Sequence, residues 1–155
     1  MLGSGYDPAW KPCLMSATLL ACMMASALHY HLPPRVLPSI QRVEGGATGS
    51  VHNNTDGSVD MGLMQINSRW ILPIAKMTHL QPAQVAARLT LEPCFNIAAA
   101  AMILRTALNR NAGNMLRAIG DYHSRTPLLN MAYQQKVIAA ASSMYVANIG
   151  THPIR

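Results

Sequence analysis

The segment Pro93–Arg110 carries the strongest helical pattern in the chain, and it constrains what can surround it. Ile97, Ala101, Leu104 and Leu108 recur at helical spacing on one face. The run Ala98–Ala101 leaves room for a neighbouring element to approach closely. Such a helix needs partners with small, apolar faces, and the composition supplies them. Half of the 155 residues are hydrophobic, only 5% are aromatic, and eleven are methionine. A core of that kind suits close-packed helices better than a sheet. The length is enough for one compact domain, and so much apolar surface excludes a disordered chain.

Other elements follow from local signals. Pro33-Pro34 opens a helix whose Val36, Leu37, Ile40 and Val43 form one apolar face, and Gly45-Gly46 stops it, so Glu44 is its last residue. Residues 47–61 are rich in Asn, Asp and Gly; Asp56-Gly57 between Val51 and Val59 predicts a small irregular β-hairpin. Ser68 caps a helix through Trp70, Ile71 and Ile74, and a short helix covers Pro82 to Leu89. Asn114 caps a helix from Met115 to about Asp121, and Thr126-Pro127 starts a last long helix ending near Gly150. The expected fold is mainly α, five or six helices around one short hairpin.

Residues 13–28 form an uncharged, mostly apolar stretch of signal-peptide length, with Lys11 before it and Ala25-Ser26-Ala27 as a cleavage site. The expected division is an export leader over residues 1–27 and a folded domain over 28–155. The alternatives are a lipoprotein box at Leu19-Leu20-Ala21-Cys22, with Cys22 lipidated, and an ordinary first helix of the domain. Cleavage after Ala27 removes Cys13 and Cys22, which leaves Cys94 alone as a buried apolar residue. The net charge is +6, but Lys and Arg are spread singly, with no basic run and no basic–aromatic interleaving. No nucleic-acid partner is expected; a solvated basic surface or an anionic polymer fits the pattern. The histidines and cysteines make no metal-binding set, so no metal and no cofactor are expected.

Beyond residue 27 there are five carboxylates: Glu44, Asp56, Asp60, Glu92 and Asp121. Glu44 sits at a helix C-terminus, where the helix dipole disfavours its ionised form, and burial beside Val43 acts in the same direction. A carboxyl group that stays protonated near neutral pH is a general acid. The glycine pair after it leaves backbone room for a large substrate. Asp56 belongs to the turn, and Asp60 is expected to brace the hairpin by accepting from backbone amides. If either faces the cleft, a hydrolase with two carboxylates becomes the better reading.

Val43-Glu44-Gly45-Gly46 and Asp60-Met61-Gly62-Leu63-Met64-Gln65-Ile66-Asn67 together resemble the lytic transglycosylases of the lysozyme superfamily, above all the small members that serve conjugation and type IV or type III secretion. Glu92-Pro93-Cys94-Phe95-Asn96-Ile97 resembles the segment before that family's long alanine-rich helix, and Tyr122-His123-Ser124-Arg125-Thr126-Pro127 its late Tyr-His-Ser motif. The match covers roughly residues 33–140. The resemblance implies a lysozyme-like α+β fold with a cleft between two lobes, and Glu44 as catalytic acid and base. Gln65 and Asn67 would line the cleft. Tyr122 would lie near Glu44 and orient it or the sugar N-acetyl group. Met64 would pack under the sugar, Gly62 would keep the cleft open, and His123 would lie at its rim. Asn96 is expected to bond backbone at a helix start. The substrate implied is peptidoglycan, cut between N-acetylmuramic acid and N-acetylglucosamine to leave a 1,6-anhydro end, by a periplasmic monomer that serves a secretion or conjugation machine. A hydrolysing muramidase and a catalytically silent wall-binding scaffold are the alternatives.

Overall fold

The structure, a computed structural model, describes residues 11–149, with side chains described over 18–144. The first ten residues of the expected leader and residues 150–155 of the expected domain lie outside the described residues. In chain order the elements are α1 (Lys11–His29), α2 (Val36–Glu44), β1 (Val51–Asn53), β2 (Val59–Met61), β3 (Ile66–Asn67), a 3₁₀ turn (Ser68–Trp70), α3 (Ile71–Thr78), α4 (Pro82–Leu91), α5 (Pro93–Arg110), α6 (Met115–His123) and α7 (Pro127–Ile149). The fold is mainly α with one small antiparallel sheet, ordered β1-β2-β3.

The alanine-rich helix occupies the centre. α5 touches α1, α2, α4, α6 and β3. Its Ile97, Ala100, Ala101 and Leu104 are fully buried, and the small size of the alanines is what lets so many elements reach one helix. Leu37 and Ile40 of α2, Met64 and Ile66 of the sheet region, and Val85 and Leu89 of α4 complete the core. Each large aliphatic side chain buried in this way contributes about 1.5–3 kcal/mol.

Local chemistry sets the boundaries. Asn114 caps α6 by accepting from the Arg117 N–H at 3.0 Å. Asn67 caps the 3₁₀ turn by accepting from the Arg69 N–H at 3.1 Å, in the place expected of Ser68. Ser68 instead accepts from the Val59 N–H at 3.1 Å and ties the turn to β2. The sheet pairs Val51 with Met61, His52 with Asp60, and Asp60 with Asn67. The third strand goes beyond the expected hairpin; it is two residues long, too short for period-2 alternation to reveal it.

The described part of the N-terminal helix packs onto the rest of the fold. Cys22 is disulfide-bonded to Cys94, and Met23 and Ala27 are buried in the core, so residues before 28 form part of the packed unit. Cys94 is an exposed half-cystine at the start of α5, not a lone buried thiol. Among the described residues, no single helix is long and apolar enough to cross a membrane.

Candidate active site

Glu44 ends α2 as the sequence predicts, and the two glycines after it play different parts. Gly45 adopts φ +63° and donates its N–H to the Gln41 carbonyl at 2.9 Å, a left-handed helix cap that strains any L side chain. Gly46 permits a backbone contact: a Cβ there would stand 2.3 Å from the Gly62 carbonyl oxygen. Gly46 therefore seats the end of α2 on the turn that follows β2, whereas a Cβ at Gly45 would meet nothing within 4 Å.

That turn is held from beneath by Asn96, which is fully buried. Its Oδ1 accepts from the Met64 N–H at 2.7 Å, and its Nδ2 donates to the carbonyls of Met61 (2.9 Å) and Leu89 (2.8 Å). Asn96 thus bonds backbone as expected, across three elements and not only at its own helix start. Gly62 has φ +69°, and a Cβ on it would meet the Leu89 carbonyl oxygen at 2.2 Å. The structure places Gly62 in the interior, where it fits against α4, not on a cleft wall. Met64 is likewise wholly buried in the core, and no surface of it is available to a sugar.

The expected cleft forms between the sheet region and the α6–α7 corner, with a volume of about 1000 Å³. Glu44, Gln65, Asn67, Tyr122 and His123 all line it, together with Asp60. Gln65 sits at φ +48°, and its amide donates to the Gly62 carbonyl (2.8 Å) and the Ser50 hydroxyl (3.1 Å). Asn67 donates from Nδ2 to Asp60 Oδ1 and to the Ser58 hydroxyl, both at 2.9 Å.

Two tyrosines divide the work that was expected of Tyr122. The Tyr122 hydroxyl donates to the Met64 carbonyl at 2.9 Å, locking α6 to the turn. The Tyr133 hydroxyl of α7 donates to Glu44 Oε1. Tyr133 is buried, its ring lies parallel to Tyr122 at 6.5 Å between centroids, and His123 stacks on it at 4.9 Å and 4°. Sequence reasoning missed Tyr133, which reads as one more apolar residue of a long helix. The available signal was chemical: a buried tyrosine hydroxyl requires a partner.

The electrostatics favour a protonated Glu44. Burial raises its pKa above the ordinary carboxyl value, and the negative charge of Asp60 adds to this; the Tyr133 hydrogen bond and the Lys136 ammonium oppose it without prevailing. Burial raises the hydroxyls of Tyr133 and Tyr122 as well, reinforced by Glu44, so both remain hydrogen-bond donors. His123 is lowered by burial and by Lys136, against the pull of Asp60, which favours a neutral ring at the cleft. Asp60 itself accepts from two side-chain amides, Asn54 on Oδ2 and Asn67 on Oδ1, each at 2.9 Å, in place of the expected backbone amides. Asp56 stays with the turn, accepting from the Ser58 N–H (3.0 Å) and pairing with Arg69.

A half-buried carboxyl group with a raised pKa at a helix end, beside a polar cleft bounded by a small sheet, is the arrangement of a lysozyme-like domain. The sequence matches the Transglycosylase SLT domain over residues 21–140, and the chain belongs to that family. It is also similar to the proteins called Invasion protein IagB of Salmonella typhimurium and Salmonella typhi, each 28% identical over 121 residues, which is 77% of this chain. The aligned region spans 66% of those relatives' length, just under two thirds.

Proposed function

We propose that this protein is a peptidoglycan lytic transglycosylase that cleaves the β-1,4 bond between N-acetylmuramic acid and N-acetylglucosamine without water. The observation that carries the reading is Glu44, its pKa raised by burial and its carboxyl group held by Tyr133 on the wall of a cleft of about 1000 Å³. Glu44 gives its proton to the glycosidic oxygen as the bond to C1 breaks. The acetamido oxygen of the substrate stabilises the cationic sugar, as in substrate-assisted glycosidases. Glu44, now a carboxylate, takes the proton of the muramic acid 6-hydroxyl, whose oxygen closes onto C1 to form the 1,6-anhydro end. Tyr133 keeps its hydroxyl hydrogen throughout and holds the carboxyl group in one orientation as its charge changes.

The disulfide supports export, because such bonds form and persist in oxidising compartments such as the periplasm. With Cys22 engaged in that bond, the reading is that a leader is cut N-terminal to Cys22, which then carries no lipid. Local opening of the wall for a secretion or conjugation apparatus fits the family resemblance alone.

A second reading, hydrolysis, is favoured by one observation: Asp60 lines the same cleft as Glu44. Mass spectrometry of muropeptides released from purified peptidoglycan separates the two. Anhydro products, each one water lighter than reducing products, are expected from the wild type and not from Glu44→Gln. Reducing ends would establish hydrolysis, and release by Glu44→Gln would overturn the assignment of the acid.

A further inference from the structure

Beside the cleft, a groove of about 580 Å³ lies between α6 and the first turns of α7. Asp121 and Arg125 line both cavities, so the two adjoin there. Asp121 is the one carboxylate among the residues that line the groove. Asn111 donates to its Oδ2 at 2.8 Å and Asn130 to its Oδ1 at 2.9 Å, so neutral amides already hold both oxygens. Arg117 and Arg125 are exposed, and among the described residues neither guanidinium is in an ion pair. Two arginines against one aspartate leave the groove net positive, with both cations available to a ligand.

The remaining lining suits a peptide. Asn111 and Gln134 spend their amide nitrogens within the fold, on Ala107, Asp121 and Asn130, whereas their amide oxygens have no partner among the described residues. Leu116 and Met131 add apolar surface, 47% and 62% exposed.

We propose that this groove binds the acidic peptide stem that branches from muramic acid, with Arg117 and Arg125 on its carboxylates. The inference rests on peptidoglycan being the substrate held in the cleft, and deepens that reading by giving each strand a second point of contact. A sugar in the cleft carries its stem on a lactyl group, and the junction at Asp121 and Arg125 leads that branch into the groove. The planar fork of arginine pairs with a carboxylate through two parallel hydrogen bonds. The oxygens of Asn111 and Gln134 accept from the N–H groups of the stem, and Leu116 and Met131 cover its methyl groups. The enzyme therefore selects strands that still carry their stems over bare glycan.

The test is steady-state kinetics of the full chain on soluble uncrosslinked strands that carry stems, and on the same strands stripped by an amidase, which leaves the lactyl carboxylate on the sugar. The wild type should show the lower KM on stem-bearing strands. Arg117 lines the groove and not the cleft. Arg117→Gln should raise KM on stem-bearing strands about threefold, the size of an exposed charge pair. Its kcat should hold, because the stem is bound equally in the ground and transition states. Arg117→Gln with Arg125→Gln should raise KM about tenfold, as two independent contributions add. On stripped strands Arg117→Gln should leave KM unmoved. Lys76→Gln removes the same charge from an exposed residue outside both cavities and should change neither substrate. Calorimetry of both strands with Glu44→Gln, with and without Arg117→Gln, reads the same preference without turnover. An equal loss on both substrates would assign the carboxylate to the sugar and overturn the inference. A Lys76→Gln loss that matches Arg117→Gln, or an unmoved KM in the double variant, also overturns it, while cleavage at Glu44 stands in each case. No release by the wild type, with the calorimetric preference intact, overturns the reaction and upholds the groove.

Discussion

Replacing Asn96 with alanine tests the central physical claim, that one buried amide positions the floor of the cleft. The side chain is fully buried and makes three hydrogen bonds to backbone groups of Met61, Met64 and Leu89. Alanine has no polar atom and leaves a void, so three backbone groups lose their partner where water does not reach. At about 1 kcal/mol or more for each, and with a further contribution from the void, the loss is about 3–5 kcal/mol. A small domain has about 5–15 kcal/mol in total. With an m-value of about 2 kcal/mol/M, the urea midpoint should fall by about 2 M, measured by circular dichroism with the disulfide intact. Cleavage should also fall below 25 °C, where the variant is still folded, because the turn carrying Gln65 is no longer fixed opposite Glu44. A midpoint shift under about 0.5 M, which corresponds to about 1 kcal/mol, would refute the reasoning.

Other outcomes follow from the same geometry. Tyr133→Phe removes a bond that lowers the pKa of Glu44. Glu44 must be protonated to act, so activity falls as pH rises through its pKa; the variant should move that alkaline limb to higher pH while kcat drops through loss of orientation, both read from a pH–rate profile. Reducing Cys22–Cys94 opens a loop of 72 residues of separation. The chain-entropy relation gives a loss of up to about 4 kcal/mol, and a thermal melt with and without a reductant should show a lower Tm. Gly46→Ala puts a Cβ 2.3 Å from the Gly62 carbonyl oxygen, and backbone cannot step aside cheaply. The variant should lose several degrees of Tm and most activity, whereas Gly49→Ala, strained at φ +86° but with open space around it, should lose less stability.

Much of this protein is written locally. Helix periodicity, proline at helix starts and the Gly45-Gly46 stop locate α2 and α5, and Glu44 falls at its helix end as the sequence predicts, because these signals act within a few residues. The turn at Asp56-Gly57 is legible for the same reason. The contacts that make the site were decided by the tertiary structure. Tyr133 meets Glu44 across 89 residues, Cys22 meets Cys94 across 72, and Asn96 reaches Met64 across 32. None of these pairs has a periodic signature; each depends on how helices cross and on which face the crossing leaves open. The same holds for the glycines. The sequence marks Gly46 and Gly62 as special, but only the packed chain shows that what lies against them is another backbone segment and not a substrate.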